Sequence, residues 1–290
     1  MHIPVLLNEV IEYLNVCEGK TYVDCTLGFG GHSIEILKKL NGKGILIGIE
    51  QDELAFKKAK EKLEELNLKN YYLFNCNFIQ LKDILKSLNI SKITGGIFLD
   101  LGVNSLQLDT KESGFSFRKD GPLDMRMDKN QALTAYDVIN KYPQDKLSNI
   151  IYNYGEERYA RKIAELIVRR RQIKTTIELA NIILKCYPKQ KWFKTHPATK
   201  TFQAIRIEVN NELENLEKFL CFTGELLLPT SRLTVISFHS LEDRIVKNFF
   251  KSRRDEFKIL TKKPIVSSIS ENRYNPRSRS AKLRAGEKII

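Results

Sequence analysis

The sequence predicts an α/β fold, a doubly wound parallel sheet interrupted by a helical insertion. Three observations predict it. Over the first hundred residues, short apolar runs alternate with amphipathic patterns at helical spacing. A glycine-rich turn, Gly28-Phe-Gly-Gly31, joins the first apolar run to the first of these helices. The alternation stops near Gln107 and resumes after Thr195. Strands separated by helices of this length imply parallel pairing with right-handed crossovers.

In chain order, Tyr22–Cys25 reads as a strand, and Ile34–Leu40, beyond the glycines, as a helix. Gly44–Glu50 is a second strand and Leu54–Leu66 a Lys/Glu-rich helix. Tyr71–Asn75 is a third strand, Leu81–Leu88 a short helix and Gly96–Leu101 a fourth strand. From Gln107 to Thr195 loop signals at Gly114, Gly121-Pro122 and Pro143 separate helical patterns at Ala135–Asn140, Lys146–Tyr154, Glu157–Arg170 and Thr176–Cys186. Thr201–Leu220 then reads as one long helix, Arg232–Phe238 as a fifth strand and Glu242–Lys251 as a helix. Ile259–Ser267 has strand character, and Glu271–Lys288 is a basic tail ending in a short strand. The expected division is a discontinuous core, 1–106 with 196–290, and an insertion, 107–195.

Composition narrows the function classes. The 290 residues suffice for a full core, no apolar run approaches a membrane span of about 20 residues, and the N-terminus lacks the marks of a secretory leader. A cytoplasmic protein is expected. The five cysteines (17, 25, 76, 186, 221) form no CxxC pair and no zinc-like cluster, so buried free thiols are expected and no metal. The net charge of +13 is uneven: residues 1–105 carry 12 lysines, no arginine and 13 acids, a net of −1, and the remainder a net of +14. A charge run is usually a solvated face, but an arginine-rich asymmetry of this size points to an anionic partner, most simply nucleic acid.

A strand, a glycine turn and a helix N-terminus form a nucleotide-binding corner, because glycine lets backbone approach a ligand and the first amides of a helix lack internal partners. Ser33 stands where a dinucleotide fingerprint wants a third small residue, so that signal is weak. Glu50 ends the second strand, where a carboxylate accepts ribose hydroxyls of NAD or S-adenosylmethionine equally well. Phe78, after the third strand, can face adenine or belong to the core. Asp100 ends the fourth strand, at the crevice holding the reacting part of a ligand; a methyltransferase has use there for an anion, a dehydrogenase less. The plain alternatives are a surface acid at Glu50 and a turn former at Asp100.

With these segments in view, the chain resembles the bacterial RsmH (MraW) family, the 16S ribosomal RNA cytosine-N(4) methyltransferases, over nearly its whole length. The resemblance rests on His2-Ile-Pro-Val-Leu-Leu, Asp24-Cys-Thr-Leu-Gly-Phe-Gly-Gly-His-Ser33, Asp100-Leu-Gly-Val103, Gly114-Phe-Ser-Phe-Arg118, Gly121-Pro-Leu-Asp-Met-Arg-Met-Asp128 and Tyr154-Gly-Glu-Glu-Arg158. It continues with His196–Arg206, Ile236–Val246 and Asn275-Pro-Arg-Ser-Arg-Ser280. It implies a Rossmann-like class I methyltransferase core that uses S-adenosyl-L-methionine to methylate one cytosine amine in the decoding centre of the small subunit. Cofactor contacts carry over onto Gly30, Gly31, His32, Glu50, Phe78, Asp100 and Gln107. Two departures stand out: Glu50 where relatives commonly carry Asp, and Asn104 and Leu106 where Ser and Pro are usual.

Catalytic roles are expected for Asp100 and His239. Asp100 is followed by Leu-Gly-Val rather than the Pro-Pro-Tyr of many amino methyltransferases, so a stacking ring must come from elsewhere; Phe115, Phe117 and Phe238 are candidates, each equally readable as core. His239 reads either as lining the target pocket or as a structural histidine bonded to Asp243 or Ser240. Asp124, Arg126 and Asp128 read as a mouth-lining network or an internal ion-pair lock, and alternating opposite charges that satisfy one another favour the lock. Substrate RNA is expected on Arg158, Arg161, Arg169, Arg170, Arg171 and Lys174, interleaved with Tyr154 and Tyr159, and on the tail through Arg277, Arg279 and neighbouring bases, Arg284 among them. The competing readings are a nicotinamide-dependent oxidoreductase and an RNA-binding assembly factor with a vestigial pocket. The oligomeric state is open.

Overall fold

The computed structural model describes residues 3–188 and 195–290. His2 of the first motif lies outside the described residues. Two compact units emerge, Met1–Gly102 with Leu213–Ile290, and Val103–Glu212.

The first unit begins α1 (Leu7–Leu14), β1 (Thr21–Asp24), α2 (Gly31–Leu40), β2 (Ile45–Ile49), α3 (Glu53–Glu65), β3 (Tyr71–Phe74), α4 (Leu81–Ser87) and β4 (Gly96–Asp100). The second unit holds α5 (Ser105–Asp109), α6 (Ala135–Lys141), α7 (Gln144–Gly155), α8 (Ala160–Arg169), α9 (Thr176–Leu184) and α10 (Ala198–Asn210). The chain continues through α11 (Glu212–Leu226), then β5 (Arg232–Ser237), α12 (Ser240–Ser252), β6 (Phe257–Ile259), α13 (Ile269–Tyr274) and β7 (Lys282–Lys288) of the first unit.

Among the described residues, one sheet of seven strands runs in the order β3-β2-β1-β4-β5-β7-β6. The first five are parallel; β7 pairs antiparallel with both β5 and β6. The doubly wound expectation holds for these five strands. Alternation sorts their side chains: Val23, Ile47, Ile97 and Leu99 enter one apolar cluster, and Tyr22, Leu46 and Phe98 the other. Winding reverses between β1 and β4, and at such a switch point the carboxyl ends of the strands open a crevice.

Several sequence expectations change. The long helix over Thr201–Leu220 is two helices, α10 and α11, broken at Asn211, whose φ of 50° is left-handed; asparagine tolerates that conformation better than most side chains. α10 packs in the helical core with α7, α6 and α9, so the second unit extends to Glu212 rather than to residue 195. The short strand expected at the end of the basic tail is β7, and it lies inside the sheet between β5 and β6. It reads as exposed because charges alternate along it, yet Arg284 is bonded to Asp243 at 2.6 Å and Lys288 to Glu256 at 2.9 Å, so both are buried with partners. Arg284 is therefore committed to an ion pair within the fold. The strand read over Ile259–Ser267 is not formed as such: β6 lies earlier and ends at Ile259, and within the expected range Ile265 makes an isolated bridge to Leu283. Of the cysteines, Cys25 and Cys186 are buried, Cys76 is half-buried, and Cys17 and Cys221 are exposed, against the expectation of burial.

The second unit closes on Val138, Ile151, Ile163, Ile167, Leu179, Ile183 and Ile205. Of the expected lock, the Asp124–Arg126 pair is present in it. Arg126 holds Asp124 through Nε to Oδ1 at 2.8 Å, with Lys129 on Oδ2 at 2.9 Å. Burial pushes the Asp124 carboxyl up, but these cations hold it below the usual range. Asp128 accepts from its own loop at Asn130 N–H, 2.8 Å.

Candidate cofactor cleft and arginine-bearing helices

The cleft of the first unit is built where β1, β2 and β4 end. Asp24 closes β1. Its carboxylate, only 1% exposed, accepts Ser33 Oγ at 2.7 Å and Thr26 N–H at 3.1 Å. Ser33, which spoils the dinucleotide fingerprint, thus ties the first turn of α2 to the tip of β1. The turn itself needs glycine for separate reasons. Gly30 caps α2 at φ 74°, a conformation L side chains rarely adopt, and at Gly31 a Cβ would fall 2.5 Å from Pro4 Cγ.

Glu50 follows β2. Its Oε2 accepts Gly28 N–H at 2.8 Å and its Oε1 Asp52 N–H at 2.9 Å. The acid on the second strand therefore grips the glycine turn, and each oxygen keeps a second lone pair. Gln51 bonds Asn77 at 2.8 Å, joining the loops after β2 and β3. Phe78 begins the turn after β3. It is half-buried, its ring edge-on to Phe219 with centroids 5.1 Å apart, so one side is core and the rest reaches the surface.

Asp100 ends β4. Its backbone N–H is held by Thr26 Oγ1, while side-chain Oδ1 is buried with no hydrogen-bond partner among the described residues. Oδ2 lies 3.9 Å from His32 Nδ1. The buried His32 ring packs on Phe98 with centroids 4.7 Å apart and donates from Nε2 to Val5 O at 2.9 Å, which fixes the orientation of the ring. Around the cleft, burial pushes Glu50 up to about 7 and Asp24 to about 6. Asp100 rises well above the carboxylate range, by burial first and then by the charges of Asp24 and Glu242, with Arg277 opposing. These acids are short of positive charge, and a cationic ligand supplies it.

His239 caps α12. Its Nδ1 accepts Glu242 N–H at 3.4 Å and its Nε2 lies 3.1 Å from Glu242 Oε1. Buried Glu242 also accepts the Phe238 N–H at 2.8 Å. The partner of His239 is thus Glu242, not Asp243, which holds Arg284. Phe238 stands at the end of β5 beside Gly102, where a Cβ would meet its ring at 3.3 Å. Of the three candidate stacking rings, Phe115 and Phe117 lie in the helical unit; Phe115 is buried there, and Phe117 packs on His196 and Phe202.

Sequence reasoning missed one joint. Leu6 N–H donates to Glu271 Oε1 at 2.9 Å, and Asn275 Nδ2 to Ile3 O at 3.2 Å. The two chain ends are laced together over the start of α2. Arg277, expected on an RNA-binding tail, consequently acts on Asp100. The available signal was that both ends carry residues of the resemblance although 270 positions separate them.

Gln107, in the second unit, is buried. Its Oε1 accepts Asn104 N–H at 3.1 Å while Asn104 Oδ1 accepts Gln107 N–H at 2.9 Å, a reciprocal cap on α5. The departure at Asn104 thus serves the helix start. Of the expected RNA contacts, Arg158, Arg161, Arg169, Arg170 and Lys174 are exposed in the second unit, and Arg279 in the first. Arg158 stacks on Tyr159 at 4.7 Å, and Arg169 pairs with Glu165. Arg171 turns inward, donating Nε to Ile139 O at 3.0 Å and its guanidinium to Tyr142 O, so it braces the end of α6.

The sequence profile of the MraW methylase family matches residues 1–289. Among curated proteins, the ribosomal RNA small subunit methyltransferase H of Clostridium botulinum strain Kyoto is 49% identical, with 99% of each chain covered. The protein of that name from Clostridioides difficile is 47% identical and that from Mycoplasma mycoides 48%, again over 99% of each chain. Among solved structures, a provisional rRNA-methylase from Clostridium thermocellum matches over the full length of both chains with a TM-score of 0.51 at 14% identity, a likeness of fold alone.

Proposed function

Because the chain belongs to the MraW methylase family, we propose that it methylates the exocyclic N(4) amine of a cytosine in the decoding centre of 16S rRNA. At the coarser level, it is an S-adenosylmethionine-dependent methyltransferase of small-subunit ribosomal RNA. The oxidoreductase and vestigial-pocket readings give way to it. The observation that carries the finer reading is the cleft, where an unpartnered carboxyl oxygen of Asp100 sits among acids at a strand-order switch point.

The residues present fit the donor. The Gly30–Gly31 turn admits its backbone-side approach, Glu50 retains lone pairs for ribose hydroxyls, and Phe78 offers a ring for adenine. His32, locked by Val5, stands beside Asp100, whose orphaned oxygen is matched to the ammonium of the methionine arm. Gln107 completes the contacts proposed by resemblance. When bound, the donor supplies a methyl carbon activated by sulfonium. The chain's work is then alignment. Asp100 accepts an N–H of the cytosine amine and localises its lone pair, Phe238 provides a face for the base, and His239 lines the pocket, steadied by Glu242. As the nitrogen–carbon bond forms and the carbon–sulfur bond breaks, the amine proton leaves toward Asp100 or water. The target base must also leave its stack, at about a few kcal/mol.

Transfer of labelled methyl to small-subunit RNA, followed by nucleoside digestion, tests the reading: label should appear in N(4)-methylcytidine. Label on another base or on ribose overturns the assignment, and no transfer to RNA or to assembled subunits overturns the function.

The second unit is proposed to bind the RNA backbone through Arg158, Arg161, Arg169, Arg170 and Lys174, with Arg279 of the first unit. Phosphate contacts position RNA without specifying sequence. The Arg169→Gln, Arg170→Gln variant is expected to flatten the dependence of log affinity on log salt by about 1.5, since each phosphate contact contributes about 0.7–0.9. Adenosylmethionine affinity should not change. A slope equal to wild type removes α8 from the interface.

A further inference from the structure

One concentration of charge in the first unit has no part in the cleft. Between Lys247 and Lys263 the sequence carries seven basic residues and two acids. Five of the bases, Lys247, Lys251, Arg254, Lys258 and Lys262, line one concave site of about 490 Å³. Its floor is the buried pair Phe250 and Phe257, so the cations stand on a rigid base. Of the two acids, Glu256 is taken by Arg253 and Lys288, and Asp255 does not line the site. Among the described residues, none of the five cations makes an ion pair.

We propose that this groove, at the β6 edge of the sheet, is a second RNA-binding surface that grips the phosphate backbone flanking the target nucleotide. The proposal rests on the small-subunit RNA reading and extends it to a face that reading does not use. Lys247 and Lys251 are one helical turn apart on α12, and like charges at that spacing destabilise a helix. A solvated face would intersperse acids; here five cations converge with no acid among the lining residues. Lysine on an edge strand guards against sheet-to-sheet pairing, and Lys258 on β6 serves that end equally well. Lys247, Lys251 and Arg254 lie off the strand and have no such duty. Spacing, charge and curvature fit a polyanion, and the polyanion this enzyme handles is RNA.

The geometry also says what the groove does not do. Strands β4, β5 and β7 separate β6 from β1, and at about 4.8 Å per strand that is about 19 Å. α12 runs from His239 at the cleft end toward the groove, about 20 Å over its 13 residues. The groove therefore cannot touch the reacting base. It anchors RNA on the way to the cleft, so it should govern KM for RNA and leave kcat alone.

The test compares wild type with K247Q/K251Q/R254Q and with the charge-retaining K247R/K251R/R254K, using small-subunit RNA across a salt series. The neutral variant should flatten the log–log salt slope by about 2, raise KM for RNA at least tenfold at low salt, and keep kcat and adenosylmethionine affinity. The charge-retaining variant should restore the slope. A neutral variant with wild-type slope and KM overturns the proposal, as does one that only self-associates more, which would mean the bases guard the sheet edge. If wild type itself neither binds nor methylates RNA, the fault lies in the functional reading and not in the groove.

Discussion

Asp100→Asn is expected to lower methyl transfer about a thousandfold or more while leaving the enzyme as stable as wild type or more so. The two effects have one cause. The buried Oδ1 of Asp100 has no partner among the described residues, and Asp24 and Glu242 crowd it with like charge. A buried, unsatisfied polar group costs about 1–3 kcal/mol, so the fold gains little from this carboxyl. What remains is its use for a ligand: an anion for the donor's ammonium and an acceptor for the amine. Electrostatic groups aimed at reacting atoms are worth about 3–4 kcal/mol or more each, and here one group serves two. Single-turnover transfer and thermal unfolding read the two halves separately. Near-normal turnover would remove Asp100 from the chemistry. A large fall in melting temperature would make it a structural residue.

The second large effect is expected at Glu50. Glu50→Ala should weaken adenosylmethionine binding about a hundredfold, because charge-assisted bonds to ribose are worth about 1.5–3 kcal/mol each and Glu50 also holds the glycine turn through Gly28. Glu50→Gln, which retains an acceptor for that turn, should lose less. The acid also sets a pH dependence. In the free enzyme Glu50 rises to about 7 and Asp24 to about 6, so the folded state prefers the protonated forms. That contribution to stability is fully present below the ordinary carboxylate range and is lost as pH rises through about 6 to 7. Donor binding wants Glu50 ionised and runs the other way, weakening as pH falls through 7 with uptake of the lost proton. Calorimetry in buffers of different ionisation enthalpy should show proton release on binding at pH 6.5. No release, or affinity that improves on acidification, would free Glu50 from the ribose.

The parallel part of the fold was legible because it is written in short-range patterns. Apolar runs at Tyr22, Ile45, Gly96 and Arg232, spaced by amphipathic helices, fall within a residue or two of the strands they predict. Failures came where long-range partners overrule local character. The short strand expected at the end of the basic tail reads as exposed until Asp243 and Glu256 take its Arg284 and Lys288. The break at Asn211 is one left-handed residue inside an unbroken helical pattern. α1 was missed because Leu7–Leu14 offers no side-chain cap; its Leu6 is held by Glu271, 265 residues away.

By itself the sequence determined which residues stand at the strand tips. Glycines, Glu50 and Asp100 stand at the ends of the first, second and fourth apolar runs, and alternation fixes where a strand ends and therefore where its last side chain faces a crevice. Only tertiary structure decided which charges are spent and which are available. Arg171, Arg284 and Arg277 look alike as letters, yet one braces a helix end, one pairs with half-buried Asp243 and one acts on Asp100. A charge is committed by the partner that folding brings within hydrogen-bonding reach, and that distance is not written in the residue or its neighbours.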